Sequence, residues 1–148
     1  KDAAQALAKI ASTQKLFVSR GDQSGTHKKE QRLWEQSGAT HKGGWYREAG
    51  QGMGKVLQIT NELNAYTLVD RGTWLAYADK VQLQVMVEGD KRLFNPYGVI
   101  SINPKRYKDI DYKGATAFTN WITSAATQQQ IGAFRIHGKR LFIPNATP

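Results

Sequence analysis

Nine residues, Ser19-Arg20-Gly21-Asp22-Gln23-Ser24-Gly25-Thr26-His27, constrain this chain more than any other stretch. They follow a short apolar run, Leu16-Phe17-Val18, which reads as a buried strand. They precede a polar segment, residues 27–36, which reads as a helix. The stretch is therefore a strand-to-helix turn. Gly21 and Gly25 let the backbone bend there and let a ligand approach the main chain closely. Ser24 or Thr26 falls at the helix N-cap, where a hydroxyl meets the first free amides. Those amides carry the positive end of the helix dipole, which suits an anion. Arg20 adds a planar fork of donors matched to a tetrahedral oxyanion. The same residues also fit a plain capped turn with a surface arginine.

The 148 residues suffice for one domain with its own core, or for one and a part. An apolar content of 40% fits a globular protein rather than a disordered one. No run is long enough to span a membrane. The opening, Lys1-Asp2-Ala3-Ala4, is a charged amphipathic pattern rather than a signal peptide, and it reads as the start of a processed or truncated product. Cysteine is absent, which excludes disulfides, thiolate metal sites and cysteine nucleophiles. The net charge is +9, and its basic residues are spread along the chain rather than blocked. That distribution reads as a solvated basic surface before it reads as a nucleic-acid face.

Ala3, Leu7, Ile10 and Ala11 share one face at helical spacing. The helix after the turn carries Leu33 and Trp34 as its buried contacts and ends at Ser37-Gly38. Trp45-Tyr46 fits either an anchor on the core or a cleft wall. Gly50-Gln51-Gly52-Met53-Gly54-Lys55 matches neither the phosphate-loop nor the dinucleotide spacing, and reads as a helix N-terminus that allows close packing. Met53, Val56, Leu57, Thr60 and Leu63 mark that helix.

Ala65-Tyr66-Thr67-Leu68-Val69 reads as a buried strand, with Asp70-Arg71-Gly72-Thr73 beyond its C-terminal end. Ligands bind beyond the carboxyl ends of strands in open α/β sheets, so Arg71 is a second candidate anion contact. A turn built on Asp70 and Arg71 is the alternative. Residues 74–78 look helical or turn-like. Val81, Leu83, Val85 and Val87 alternate with Gln82, Gln84 and Met86 as in a strand with one wet face, and residues 99–102 read as another strand. Gly114, Ala117, Phe118, Trp121, Ile122 and Ala125 give a clear helical face, followed by a shorter helical piece with Gln128, Ile131 and Phe134. Residues 141–144 close as a strand or extended tail. A boundary falls between residues 95 and 103.

The three histidines, His27, His41 and His137, lack paired metal-ligand spacing. His27 reads as support for the helix start. Ser24 has no nucleophile-elbow setting and no acid–base pair is evident, so no enzyme activity, metal or cofactor is expected.

The order Arg20-x-x-x-Ser24-Gly25-Thr26 resembles the phosphate-cradling turn of bacterial phosphate-binding proteins. The longer string from Phe17 to Glu30 is closer to the tungstate-binding proteins of tungstate ABC transporters. That resemblance extends through Trp45-Tyr46, Gly50 to Gly54, Ala65 to Thr73, Glu88-Gly89-Asp90 and Asn95 to Val99, and includes Trp121, Gln128, Ile131, Phe134 and Leu141-Phe142.

The resemblance implies an α/β fold of the type II periplasmic-binding-protein kind, present here as one lobe plus the return segment of the other. Residues 1–97 are then the inserted ligand-binding lobe, and residues 98–148 return to the first lobe. The first half of that lobe, with its own Ser/Thr-rich turn, has no counterpart in the chain. The implied function is to bind a tetrahedral oxyanion, tungstate or molybdate, through Arg20, Ser24, Gly25, Thr26 and Arg71, and to deliver it to the permease. The implied location is periplasmic, or extracellular and tethered to the cell surface. No nucleic acid and no membrane insertion are implied, and residues 98–148 are left to find a partner, through self-association of the fragment for example. Tungstate and molybdate need donors only, so Asp22 is expected to turn away from the ligand and hold the loop or Arg20. The competing functions are a phosphate-type anion receptor and a basic nucleic-acid module stacking bases on Trp45, Tyr46 or Trp74.

Overall fold

The computed structural model describes residues 2–146. The chain divides into two compact units, one ending at Phe94 and the other starting at Asn95.

The first unit is built around one short strand. β1 (Phe17–Ser19) is buried along its whole length. It pairs in parallel with β2 (Tyr46–Glu48), Phe17 opposite Tyr46 and Ser19 opposite Glu48. On its other side a single parallel bridge joins Phe17 to Tyr66. Alternation along β1 sends successive side chains to opposite faces. Phe17 packs with Ala3, Leu7, Leu33 and Trp34 on one face. Val18 packs with Met53, Val56, Leu57 and Ala65 on the other. α1 (Ala3–Ser12) and α2 (Gly25–Ser37) thus cover one face, and α3 (Met53–Glu62) covers the other. A parallel sheet needs such cover on both faces.

The helices start and stop where their termini find partners. Asp2 caps α1 through the Gln5 amide at 2.9 Å. Ser24 caps α2, and Gly38, at φ +65°, closes it. α2 therefore begins two residues before the start expected from its polar pattern, and Ser24 rather than Thr26 is the cap. Trp45 and Tyr46 pack on the Phe17–Trp34 cluster, which makes them core anchors. Gly54 lies so close to Tyr77 of α4 (Arg71–Tyr77) that any Cβ there meets the phenol, so the glycine-rich stretch serves close helix packing. A one-turn helix, Lys91–Leu93, is tied to the start of α1: Asp90 accepts the Ala3 amide at 2.7 Å, and Arg92 bridges Asp2 and Asp90.

Two expected strands of this unit are not strands. Residues 65–69 contribute only the Tyr66 bridge, because the Thr67 hydroxyl, rather than a main-chain amide, takes the Val18 carbonyl at 2.7 Å. Residues 81–87 form no ladder among the described residues. The Gln82 amide goes to the Asn61 side chain at 2.7 Å. Their alternation still holds in part, since Leu83 and Val87 pack on the two clusters.

The second unit comprises α5 (Tyr112–Thr123), α6 (Ala125–Ala133) and a hairpin of β3 (Arg135–Ile136) and β4 (Lys139–Arg140). Ser124 divides the helices, closing α5 and capping α6 through Thr127. The hairpin turns through His137 and Gly138, both at positive φ. Residues 99–102, expected as a strand, have no ladder partner among the described residues, and Ile100 is 89% exposed. The apolar face of α5 is likewise open, with Phe118 and Trp121 more than half exposed.

Candidate functional site

The turn after β1 is held by its own side chains. Gly21 sits at φ +64°, and a Cβ there would lie 2.8 Å from Glu48 Cβ, so glycine is needed for both conformation and space. Arg20 Nε donates to Asp22 Oδ2 at 2.7 Å. The Ser24 amide donates to Asp22 Oδ1 at 3.1 Å. Both carboxylate oxygens are thus engaged inside the turn. Desolvation opposes the ionised form of Asp22, but the hydrogen bonds from Ser24 and Arg20 outweigh it and hold the carboxyl below its usual range.

Ser24 Oγ accepts the His27 amide at 3.3 Å, and its hydroxyl hydrogen is turned to the Asp22 carboxylate. The Gly25 and Thr26 amides, and the Thr26 hydroxyl, have no hydrogen-bond partner among the described residues. With Nε committed to Asp22, Arg20 still has its two terminal nitrogens. The turn thus gathers unspent donors from Arg20, Gly25 and Thr26 on one short stretch, with the Ser24 hydroxyl shared with Asp22 beside them.

Arg71 stands on a different element. It is the first residue of α4, which Asp70 caps through the Thr73 amide at 2.8 Å and the Thr73 hydroxyl at 2.7 Å. Arg71 is exposed, with Nη1 3.7 Å from Glu88 Oε2. The parallel bridge between Phe17 and Tyr66 runs both segments toward the same sheet edge, so Arg20 and Arg71 follow neighbouring segments that leave at that edge.

Beneath the turn lies a buried polar network. Glu30, 1% exposed, accepts from Ser19 Oγ at 2.8 Å, from the Tyr46 hydroxyl at 2.8 Å and from Trp34 Nε1 at 3.1 Å. Burial pushes its carboxyl above the usual value, against the pull of those three donors. Burial and the adjoining Glu30 push the Tyr46 phenol well above its ordinary value, so it stays a hydroxyl and a donor. Sequence reasoning expected Leu33 and Trp34 on the buried face of α2 and missed His27 and Glu30 there. Their spacing was the available signal: residues 27, 30 and 34 lie on one helical face.

Residues 1–126 match a family model described as a PBP superfamily domain. The chain belongs to the PBP superfamily. This PBP superfamily member is 47% identical over 147 residues to the tungstate-binding protein TupA of Peptoclostridium acidaminophilum, a match covering 98% of this chain and 51% of that protein. Its fold is similar to that of the tungstate-binding protein TupA from Desulfovibrio alaskensis G20, with TM-score 0.80 and 42% identity over 98% of this chain and 60% of that one. It is also similar to the tungstate ABC transporter structure from Geobacter sulfurreducens, with TM-score 0.81 and 43% identity over 90% of this chain and 57% of that one. The chain spans about half the length of the curated relatives it matches. It is thus a partial domain of the PBP-like α/β fold.

Proposed function

We propose that this chain is the ligand-binding part of an ABC-transporter substrate-binding protein, which takes a tetrahedral oxyanion at the turn of residues 19–27 and delivers it to a permease. The observation that carries this reading is the set of donors on the turn: the unspent Gly25 and Thr26 amides, the Thr26 hydroxyl and the free end of Arg20, with the Ser24 hydroxyl beside them. Arg71, which also faces Glu88, is a further contact from the neighbouring segment. The names of the relatives support tungstate as the ligand. Chemistry supports the same choice. The Asp22 carboxyl is held below its usual range with both oxygens engaged inside the turn, so the site presents mainly donors and no unengaged carboxylate. Such a site favours an anion that carries no proton, tungstate or molybdate, over a phosphate that must donate one.

The role is binding, not catalysis, and its setting is periplasmic or cell-surface. Residues 1–97 act as the inserted lobe and residues 98–148 as the return segment of the other. The open apolar face of α5 is consistent with a segment that completes its packing on a further part of the fold. The test is isothermal titration of the chain with sodium tungstate, for wild type and Arg20→Ala. Saturable binding by the wild type that Arg20→Ala weakens about a hundredfold supports the reading. Binding that the substitution leaves unchanged overturns it.

A further inference from the structure

His27 lies just past the candidate contacts, is 3% exposed, and spends its ring on the turn rather than on the ligand. Ring Nδ1 is 3.1 Å from the Gln23 main-chain nitrogen. A main-chain N–H can only donate, so Nδ1 accepts, and the neutral ring carries its hydrogen on Nε2. The Nε2 hydrogen then has Glu48 Oε1 as the nearby acceptor, at 3.7 Å. The Gln31 amide nitrogen, 3.1 Å from Nε2, donates to the Tyr46 hydroxyl at 3.0 Å. The Nδ1 bond to Gln23 is thus the hydrogen bond that ties the ring to the turn.

Gln23 is the residue that needs this support. Its φ is +60°, a left-handed conformation that few non-glycine residues adopt. Gly21 has the same sign of φ without a side chain to strain it. Gln23 keeps it while its amide is captured by His27. The next residues along are Ser24, Gly25 and Thr26, so the Gln23 backbone sets where their donors point.

We propose that His27 is a positioning residue for the turn: Nδ1 holds the Gln23 amide, and through it the Ser24, Gly25 and Thr26 donors are kept in place for an anion. The link to binding rests on the reading of the turn as an oxyanion site.

The test uses the isotope-labelled chain, first without ligand. The Gln23 amide is expected to be protected from exchange in the wild type. His27→Ala is expected to remove that protection. His27→Asn places an oxygen one bond from Cγ, where Nδ1 was, and is expected to restore protection. His27→Gln places its oxygen further out and is expected not to. With sodium tungstate at about pH 8, His27→Ala and His27→Gln are expected to bind roughly tenfold more weakly than His27→Asn, the range of one hydrogen bond. A Gln23 amide whose protection does not depend on His27, or equal behaviour of the Asn and Gln variants, overturns the proposal. If His27→Ala fails to fold, the Asn and Gln pair still decides. A wild type silent to tungstate defeats the oxyanion reading alone, because the ligand-free arm still decides what His27 does.

Discussion

Arg20 Nε donates to Asp22 Oδ2 at 2.7 Å, two residues along the same turn. The pair fixes a guanidinium that would otherwise sample many rotamers, and it occupies a carboxylate that would otherwise repel an anion. Asp22→Ala is expected to weaken tungstate binding about tenfold by freeing Arg20. Asp22→Asn keeps an acceptor for Arg20 and removes the charge, so it is expected to bind at least as tightly as the wild type. Titration calorimetry of the two variants separates orientation from repulsion.

Arg20 itself is expected to matter through its geometry as well as its charge. Arg20→Lys keeps one positive charge but has no planar fork, and cannot hold Asp22 and a ligand together in the same way. Its binding is expected to fall between the wild type and Arg20→Ala, with the alanine variant weaker than wild type by about a hundredfold, the scale of two charge-assisted hydrogen bonds. A lysine variant equal to the wild type would show that charge alone is used.

Glu30 is expected to govern stability rather than ligand contact. Glu30→Ala leaves the buried Ser19, Trp34 and Tyr46 donors without their acceptor, a loss of about 2–4 kcal/mol in denaturant unfolding. Burial raises the Glu30 carboxyl, so the folded protein holds its proton more tightly than the unfolded chain. The resulting stability is full below the ordinary value of about 4.5 and is lost as pH rises through the folded value. Glu30→Gln removes that term, and its unfolding free energy is expected to decline less than the wild type's as pH rises from about 4.5 toward neutrality.

Gly21→Ala is expected to destabilise the first unit by about 1–3 kcal/mol. The substitution combines a left-handed backbone with a Cβ driven into Glu48 Cβ, on β2. Thermal unfolding checks this, and Gly25→Ala, where a Cβ meets nothing within 4 Å, is the control.

The sequence carried α2 almost whole, because its limits are written in local chemistry. Ser24 caps one end and Gly38 the other, and the apolar spacing of Leu33 and Trp34 names the inner face. The turn was legible for the same reason, since its glycines and hydroxyls act on their immediate neighbours. Residues 65–69, 81–87 and 99–102 were misread as strands because alternation records which side faces a core, while a strand also needs a partner backbone. That partner is chosen by distant residues: the Thr67 hydroxyl takes the carbonyl that a ladder amide would have used. The hairpin of β3 and β4 was missed because His137 occupies a left-handed position where asparagine or glycine is the usual signal. The Glu30 network was hidden because a glutamate on a helix reads as exposed until the neighbours that satisfy it, Ser19 and Tyr46, are brought to it by the fold.

The measurement that bears most directly on the oxyanion site is a titration of the labelled chain with tungstate, molybdate, sulfate and phosphate, followed through its backbone amides. The account predicts that tungstate, molybdate and sulfate, which carry no proton, shift Gly21, Ser24, Gly25 and Thr26 at concentrations where phosphate does not. Shifts that avoid these four residues, or an equal response to all four anions, would contradict it.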